Sequence, residues 1–351
     1  MTSRERVMSA LAHREPDRTP LFEYVLQPPV ADHILGHPYA YGTRWEDLVK
    51  EQGWPAALRQ QAADIVDLAR RLGHDLLYVV PVWPPAPPAA PVSSPRPACD
   101  DPVAEMAWRV RQTEARRGAA LPDEPFLIYR LVREELARQG LDLPILAPGY
   151  GHGVWTDTVL MQAMVLAPEL VHRHYALATE GVLQQVEKYL NLGIELIGVG
   201  GDFAGNRGPL ISPACYRAFI VPEVRRVARR VRAAGCFSVN ASDGDLWPVL
   251  DDFLIGCEVD GYIEIDLRAG MDLAALKERY GARSTFFGNL DCANLMSFGT
   301  PAKVREHTRD CLRRGWGQGG HMLCCNNAIT GSVPVANYLA IGDAYREFFG
   351  L

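Results

Sequence analysis

Asp202 directly follows the apolar run Ile197-Gly198-Val199-Gly200-Gly201 and opens a turn that reaches Arg207 and Gly208. A carboxylate at the end of a buried run can take or give a proton, and a nearby guanidinium can hold an anionic group. The same pair also has a structural reading, in which Asp202 caps the turn and Arg207 neutralises it. Asn240, Ser242 and Asp243 follow the next apolar run, Phe237–Val239, and Gly244 lets the backbone turn there. Glu264 and Asp266 come after Tyr262-Ile263. Two positions apart, they point the same way if both stay in a strand. Like charges facing a closed cavity raise one another's pKa, which would leave an acid available near neutral pH.

His152 stands between Gly151 and Gly153, a context that predicts an exposed ring able to act as general acid, base or ligand. Asp202, Asp243, His152 and Glu264 are therefore the candidate catalytic residues. Arg207, Asn240, Ser242, Asp266, Asn289, Asn327, Tyr150 and Glu23 form the candidate substrate-binding set, with amides and hydroxyls orienting a ligand by hydrogen bonds. Cys324 and Cys325 end a late apolar run, and adjacent strand residues face opposite sides, so at most one can face an interior. A strand cysteine is more often a small buried hydrophobe than a nucleophile or metal ligand. Gly149-Tyr150-Gly151-His152-Gly153 lacks the G-x-G-x-x-G spacing of a dinucleotide fingerprint, and no P-loop, G-x-S-x-G or H-E-x-x-H occurs.

These polar knots need elements to hold them. Five of them close short apolar runs in the second half of the chain, and amphipathic stretches separate the runs. Strands are expected near 21, 76, 145, 196, 237, 262, 285 and 322. Strand, polar tip and helix in repetition predict an α/β fold, a parallel eight-stranded (β/α)8 TIM barrel with its chemistry at the carboxyl ends of the strands. Ala56–Leu72, Ala167–Leu192, Cys215–Ala234, Leu246–Leu254, Leu273–Tyr280 and Pro301–Arg314 carry helical patterns, with Ser212-Pro213 and Thr300-Pro301 as cap and first-turn pairs. One barrel domain over 1–351 is expected, broken by a Pro-rich excursion at about 81–102. That excursion reads as a surface segment, or as a lid or subunit contact anchored by Trp83.

With 48% hydrophobic and 22% charged residues in 351, the chain can build a large core. Its net charge of −6 and lack of basic runs argue against nucleic acid. The start lacks the apolar stretch of a signal peptide and no run has membrane-spanning length, so the expected place is the cytoplasm, with reduced cysteines and no membrane partner.

Several segments in order resemble the uroporphyrinogen decarboxylase superfamily, which includes the corrinoid-linked methyltransferases. They are Ser3–Val7 running to Glu15–Pro20, then Gly208–Pro213, Gly288–Asp291, Gly299–Pro301 and Ser332–Asn337. The resemblance implies a (β/α)8 barrel and a homodimer. Thiol-methylating members hold zinc with an H-x-C pair after the fifth strand and a distant Cys after the eighth. Here those positions are Ala241, Asp243 and Asn327, with Cys325 two residues earlier. The decarboxylases carry an arginine-rich N-terminal segment for their acidic tetrapyrrole, and the matching Leu21–Pro29 has no Arg. The resulting expectation is a metal-independent acid/base lyase of decarboxylase type. It needs no cofactor and acts on a small anionic or aromatic substrate other than uroporphyrinogen. The alternatives are a corrinoid-dependent methyltransferase or demethylase, with zinc or corrinoid as cofactor and a corrinoid protein as partner, and a non-catalytic ligand-binding barrel.

Overall fold

The computed structural model describes residues 1–85 and 100–351. Its main sheet has seven parallel strands: β1 (Leu77–Tyr78), β2 (Ile145–Pro148), β3 (Leu196–Gly200), β6 (Phe237–Ala241), β7 (Gly261–Ile263), β8 (Thr285–Phe287) and β9 (His321–Met322), adjacent in that order. Between β3 and β6 the chain forms a small antiparallel hairpin, β4 (Ala204–Gly205) and β5 (Gly208–Pro209). All seven strands of the sheet lie where apolar runs predicted them.

The eighth expected strand, near 21, is reduced to a single parallel bridge between Leu21 and Leu323. Phe22 N–H donates to the Leu323 carbonyl at 3.1 Å, and on the other side Asp75 N–H donates to the Leu21 carbonyl at 2.7 Å. Pro20 ahead of this segment has no backbone N–H to give a ladder, which helps keep it short.

Strand alternation sorts the apolar side chains into two layers. Leu76, Leu146, Leu196, Val239, Ala241, Ile263, Phe287, Met322 and Cys324 pack in one buried interior cluster with Phe22 and with Val7, Ala10 and Leu11 of the helix Ser3–Leu11. Their neighbours Ile145, Ile197, Val199, Tyr262, Phe286, Leu323 and Cys325 face the larger layer between sheet and surrounding helices. Thus Cys324 and Cys325 point to opposite sides, and neither is exposed.

The helix pattern expected over Ala167–Leu192 is realised as Pro168–Asn191 and is preceded by a separate helix, Thr158–Leu166. Ser212 and Thr300 cap as expected, through Cys215 N–H and Lys303 N–H. The Leu246–Leu254 pattern becomes a 3-10 turn at Trp247–Val249 and a widened helical turn at Asp252–Gly256. Asp245 accepts the Trp247 N–H at 3.0 Å, which leaves the Asp243 side chain free of capping duty. The Pro-rich excursion expected at about 81–102 falls mostly on residues 86–99, outside the described residues. Among the described residues no helix is long and apolar enough to cross a membrane.

Candidate active site

The ends of β3, β6 and β7 bring three acids together. Asp202, Asp243 and Glu264 each offer a carboxylate oxygen, and these oxygens lie within 4.8 Å of one another. Alternation after Ile263 would send the next side chain outward to the helices. Glu264 instead adopts a left-handed backbone with φ of 73°, and this break in the pattern accompanies its place beside Asp243. A non-glycine residue in that region costs on the order of 1–2 kcal/mol, the kind of local strain found at functional sites.

The electrostatics follow from crowding and burial. Desolvation, then the charges of Asp202 and Asp266, push Asp243 up to about 7, partly offset by a hydrogen bond from Asn327. Glu264 is 9% exposed. Desolvation and the charges of Asp243 and Asp202 push it well above the usual carboxylate range, with the Tyr24 hydroxyl acting the other way. Asp202 is also raised by desolvation, and the Asp243 N–H, which donates to its Oδ1 at 3.2 Å, moderates the effect. No guanidinium or ammonium of the described residues is among the groups acting on these three. The cluster can therefore hold protons at neutral pH and release them one at a time.

A wall of tyrosines completes this end of the sheet. Tyr24 and Tyr78 pack with ring centroids 4.4 Å apart, and the Tyr24 hydroxyl donates to that of Tyr150 at 3.2 Å. Gly198 makes room for this wall, since a Cβ there would stand 2.5 Å from the Tyr150 hydroxyl oxygen. Tyr24 and Tyr78 were not among the sequence candidates. Their signal was position, at the ends of the first two strand segments, but those segments were too short to show polar tips.

Other candidates go elsewhere. His152 is fully buried, contrary to the exposure its flanking glycines suggest. Its Nε2 bonds the Thr179 hydroxyl at 2.9 Å, its ring stacks on Tyr175, and burial lowers its pKa to about 4. Asn240 donates to the Phe253 carbonyl at 3.1 Å and accepts the Ala241 N–H, so its amide serves the outer layer. Asn289 likewise donates to the Met271 carbonyl at 3.0 Å. Ser242 accepts from Phe203 N–H and donates to the Asp243 carbonyl, shaping the loop rather than presenting its hydroxyl. Asp266 lies beyond the strand and caps the turn at Leu267–Ala269 through the N–H groups of Arg268 and Ala269. It acts on Asp243 by charge alone.

Arg207 sits exposed at the tip of the β4–β5 hairpin, and no ion pair to it occurs among the described residues, so it does not neutralise Asp202. Glu23 is buried behind the first segment beside Cys325 and Tyr338, where desolvation raises it to about 7. Asn327 does reach the cluster, and its Nδ2 donates to Asp243 Oδ2 at 2.6 Å.

A thiolate zinc site does not fit these residues. Ala241 offers no ligand and faces the packed interior, Asn327 is engaged as a donor to Asp243, and Cys325 lies in the outer layer beside Glu23. The one group of metal-capable side chains found among the described residues is the carboxylate trio, and an all-oxygen set suits a hard cation rather than a thiol-activating zinc.

The family model for uroporphyrinogen decarboxylase (URO-D) matches residues 151–348, more than half of the chain. The chain belongs to the uroporphyrinogen decarboxylase family. A uroporphyrinogen decarboxylase of Xanthomonas campestris pv. campestris is 26% identical over 235 residues, 60% of this chain and 62% of that protein. A methylated-thiol–coenzyme M methyltransferase of Methanosarcina mazei is 25% identical over 212 residues, 59% of this chain and 52% of that protein. The chain thus spans less than two thirds of the length of these curated relatives. Among solved structures, a methyltransferase from Methanosarcina mazei superposes with a TM-score of 0.70 at 17% identity, covering 99% of both chains, which establishes a shared fold. Relatives named for two different reactions therefore match parts of this chain.

Proposed function

We propose that this chain is an enzyme that transfers protons at the trio of carboxyl groups, with Asp243 as the principal acid, Glu264 as a second protonated carboxyl and Asp202 as the partner that ionises first. One observation carries the reading: three convergent acids with Asp243 titrating at about 7. A carboxyl that keeps its proton near neutral pH can deliver it as a bond breaks, an effect of roughly 100- to 10,000-fold in rate.

Of the reactions that the resemblance implies, removal of a methyl group from a neutral donor suits this set best. Protonating the departing heteroatom as its bond to the methyl breaks turns a poor leaving group into a neutral one. Asp202, the first of the three to ionise, has no facing cation and would disfavour an anionic substrate beside it. The relative named as a methyltransferase supports the same reaction class. The resemblance to corrinoid-linked enzymes supplies the class of acceptor, and no residue of this chain is assigned to it. The architecture that goes with this reading is a (β/α)8 barrel closed by the Leu21 segment, in a cytoplasmic homodimer.

A decarboxylase-type lyase is the second reading, and Arg207 favours it. The hairpin that carries this guanidinium, without an ion pair among the described residues, is tied to the Asp243 loop by the Asp245 N–H, which donates to the Gly205 carbonyl at 3.0 Å. From there Arg207 could receive a substrate carboxylate.

Cob(I)alamin offered as methyl acceptor, with neutral methyl ethers and thioethers as donors, reports methyl transfer by its visible spectrum. Carbon dioxide release from small carboxylic acids reports the lyase. Asp243→Asn is expected to slow the active reaction by about 100-fold or more, and wild-type rates in both Asp243→Asn and Asp202→Asn would sink the reading.

A further inference from the structure

Tyr24 and Tyr78 have two sides. One adjoins Tyr150 and Glu264. The other forms a wall of a cleft between the segment that follows Leu21 and the helix Trp54–Leu72, with Tyr39, Tyr41, Ile65 and Leu68 also among its walls. The cleft offers about 150 Å³ of space. An apolar cavity of about that size accommodates one benzene ring.

Its lining is mostly aromatic and aliphatic, with Gln61, Glu23 and His74 as the other polar members. Tyr39 and Tyr41 stack with centroids 5.8 Å apart and planes within 5°. No lysine, arginine or aspartate is among the lining residues. The two other ionisable side chains there are Glu23 and His74. Burial raises Glu23 to about 7 and lowers His74 to about 3, so at neutral pH the histidine is neutral and about half of the Glu23 carboxyls keep their proton. An anionic ligand against such walls would lose its hydration with no counter-ion, and a cation would meet only the partly ionised Glu23. A flat ring loses nothing there and gains offset or edge contacts with the tyrosines.

We infer that this cleft binds an uncharged aromatic ring bearing an ether or hydroxyl oxygen, with the ring against Ile65, Leu68 and the tyrosines and the oxygen turned toward Tyr24 and Glu264. This deepens the proposed function and rests on it, since it names the donor class as an aryl ether. Tyr24 is the element that makes the two sites one. It lines the cleft, donates to Tyr150, and its hydroxyl acts on the Glu264 carboxyl.

The test is calorimetric and ligand-observed NMR titration of the full chain with anisole, benzoate and phenyltrimethylammonium as probes. Saturable binding of anisole, at least tenfold tighter than either charged probe, is expected. Ile65→Trp, which fills the cleft, should abolish anisole binding. Tyr41→Ala, at a half-exposed position where folding is not at risk, should weaken it by about fivefold. Absence of saturable anisole binding, undiminished binding in a folded Ile65→Trp protein, or equal or tighter binding of either charged probe would overturn the inference. Asp243→Asn separates the two proposals. Retained anisole binding with retained turnover supports the cleft and sinks the acid role of Asp243, whereas loss of saturable anisole binding in the wild-type chain sinks the cleft whatever Asp243 does.

Discussion

Asn327 Nδ2 donates to Asp243 Oδ2 at 2.6 Å, joining the chain after β9 to the end of β6 across 84 positions. By resemblance these two residues stand where thiol-methylating relatives place two zinc-binding cysteines. Here an amide and a carboxyl complement one another directly. Either change alone would leave a mismatched pair, a thiol beside an amide or a carboxyl beside a thiol. Together they form a hydrogen bond that moderates the raised pKa of the acid.

That bond favours the ionised form of Asp243. Asn327→Leu should therefore move the Asp243 midpoint above about 7, and Asn327→Asp should move it further by adding a like charge. Carboxyl infrared bands or carbon-detected NMR across a pH series would read the shift. An unchanged midpoint in Asn327→Leu would show that the amide does not set the acid's titration.

Purified protein is expected to carry zinc well below one equivalent. The reachable donors are carboxylate oxygens, while Cys324 packs inside, Cys325 lies behind the sheet, and burial raises both thiols far above their usual range. A protonated thiol is a poor metal ligand. Metal analysis of the protein before and after chelation checks this, and one tightly held zinc per chain would contradict the assignment of Asp243 as a proton donor.

Much of this was legible beforehand, for a physical reason. Buried parallel strands must be continuous apolar runs, so Leu196–Gly200, Phe237–Val239 and Met322–Cys325 announced themselves. The carboxylates that follow them could be picked out because charge rarely directly follows such runs without a purpose. The sorting between them could not. Asn240, Asn289 and Asn327 look alike in sequence, yet two face the helices and one faces the acids, because strand parity depends on where each strand ends. Glu264 reaches the cluster with a positive φ that no residue type signals. His152 sits among glycines for another reason. Gly151 lies 2.6 Å from a Val182 methyl measured from where its Cβ would be, and Gly153 lies 3.0 Å from the Asp202 carbonyl by the same measure, so small residues let the loop pack close.

The stability contributed by the raised carboxyls should fall as pH rises from about 4 to about 8, against a gain from the buried neutral His74, His152 and His321, which burial holds at about 3, 4 and 4. Asp243 and Glu23 titrate at about 7 in the folded chain, against roughly 4 for free carboxyls. At these carboxyls the folded state therefore binds more protons than the unfolded state in that window, and Glu264 shifts in the same direction. The stabilisation from these groups is complete below about 4 and lost as pH passes their folded values. Asp17, held at about 2 by Arg6, works in the opposite sense and loses its contribution as pH falls from about 4 to about 2. Thermal melts from pH 5 to pH 8 should show the wild-type midpoint falling relative to that of Asp243→Asn, whose pH slope lacks the Asp243 contribution. Equal slopes in wild type and variant would remove Asp243 from the account.

Gly198→Ala should disturb the tyrosine wall from within the sheet. The new methyl would sit 2.5 Å from the Tyr150 hydroxyl oxygen and 2.6 Å from the ring carbon that bears it, closer than any real contact allows. The ring would have to swing aside, breaking the bond from Tyr24. Overpacking of this kind costs about 1–3 kcal/mol. The cause can be isolated by a double-mutant cycle, because Tyr150→Ala removes the atoms the methyl would strike. In that background Gly198→Ala should be nearly neutral to stability. If it remains as costly as in wild type, the damage lies in the β3 backbone, and Gly198 is required by the strand rather than by Tyr150.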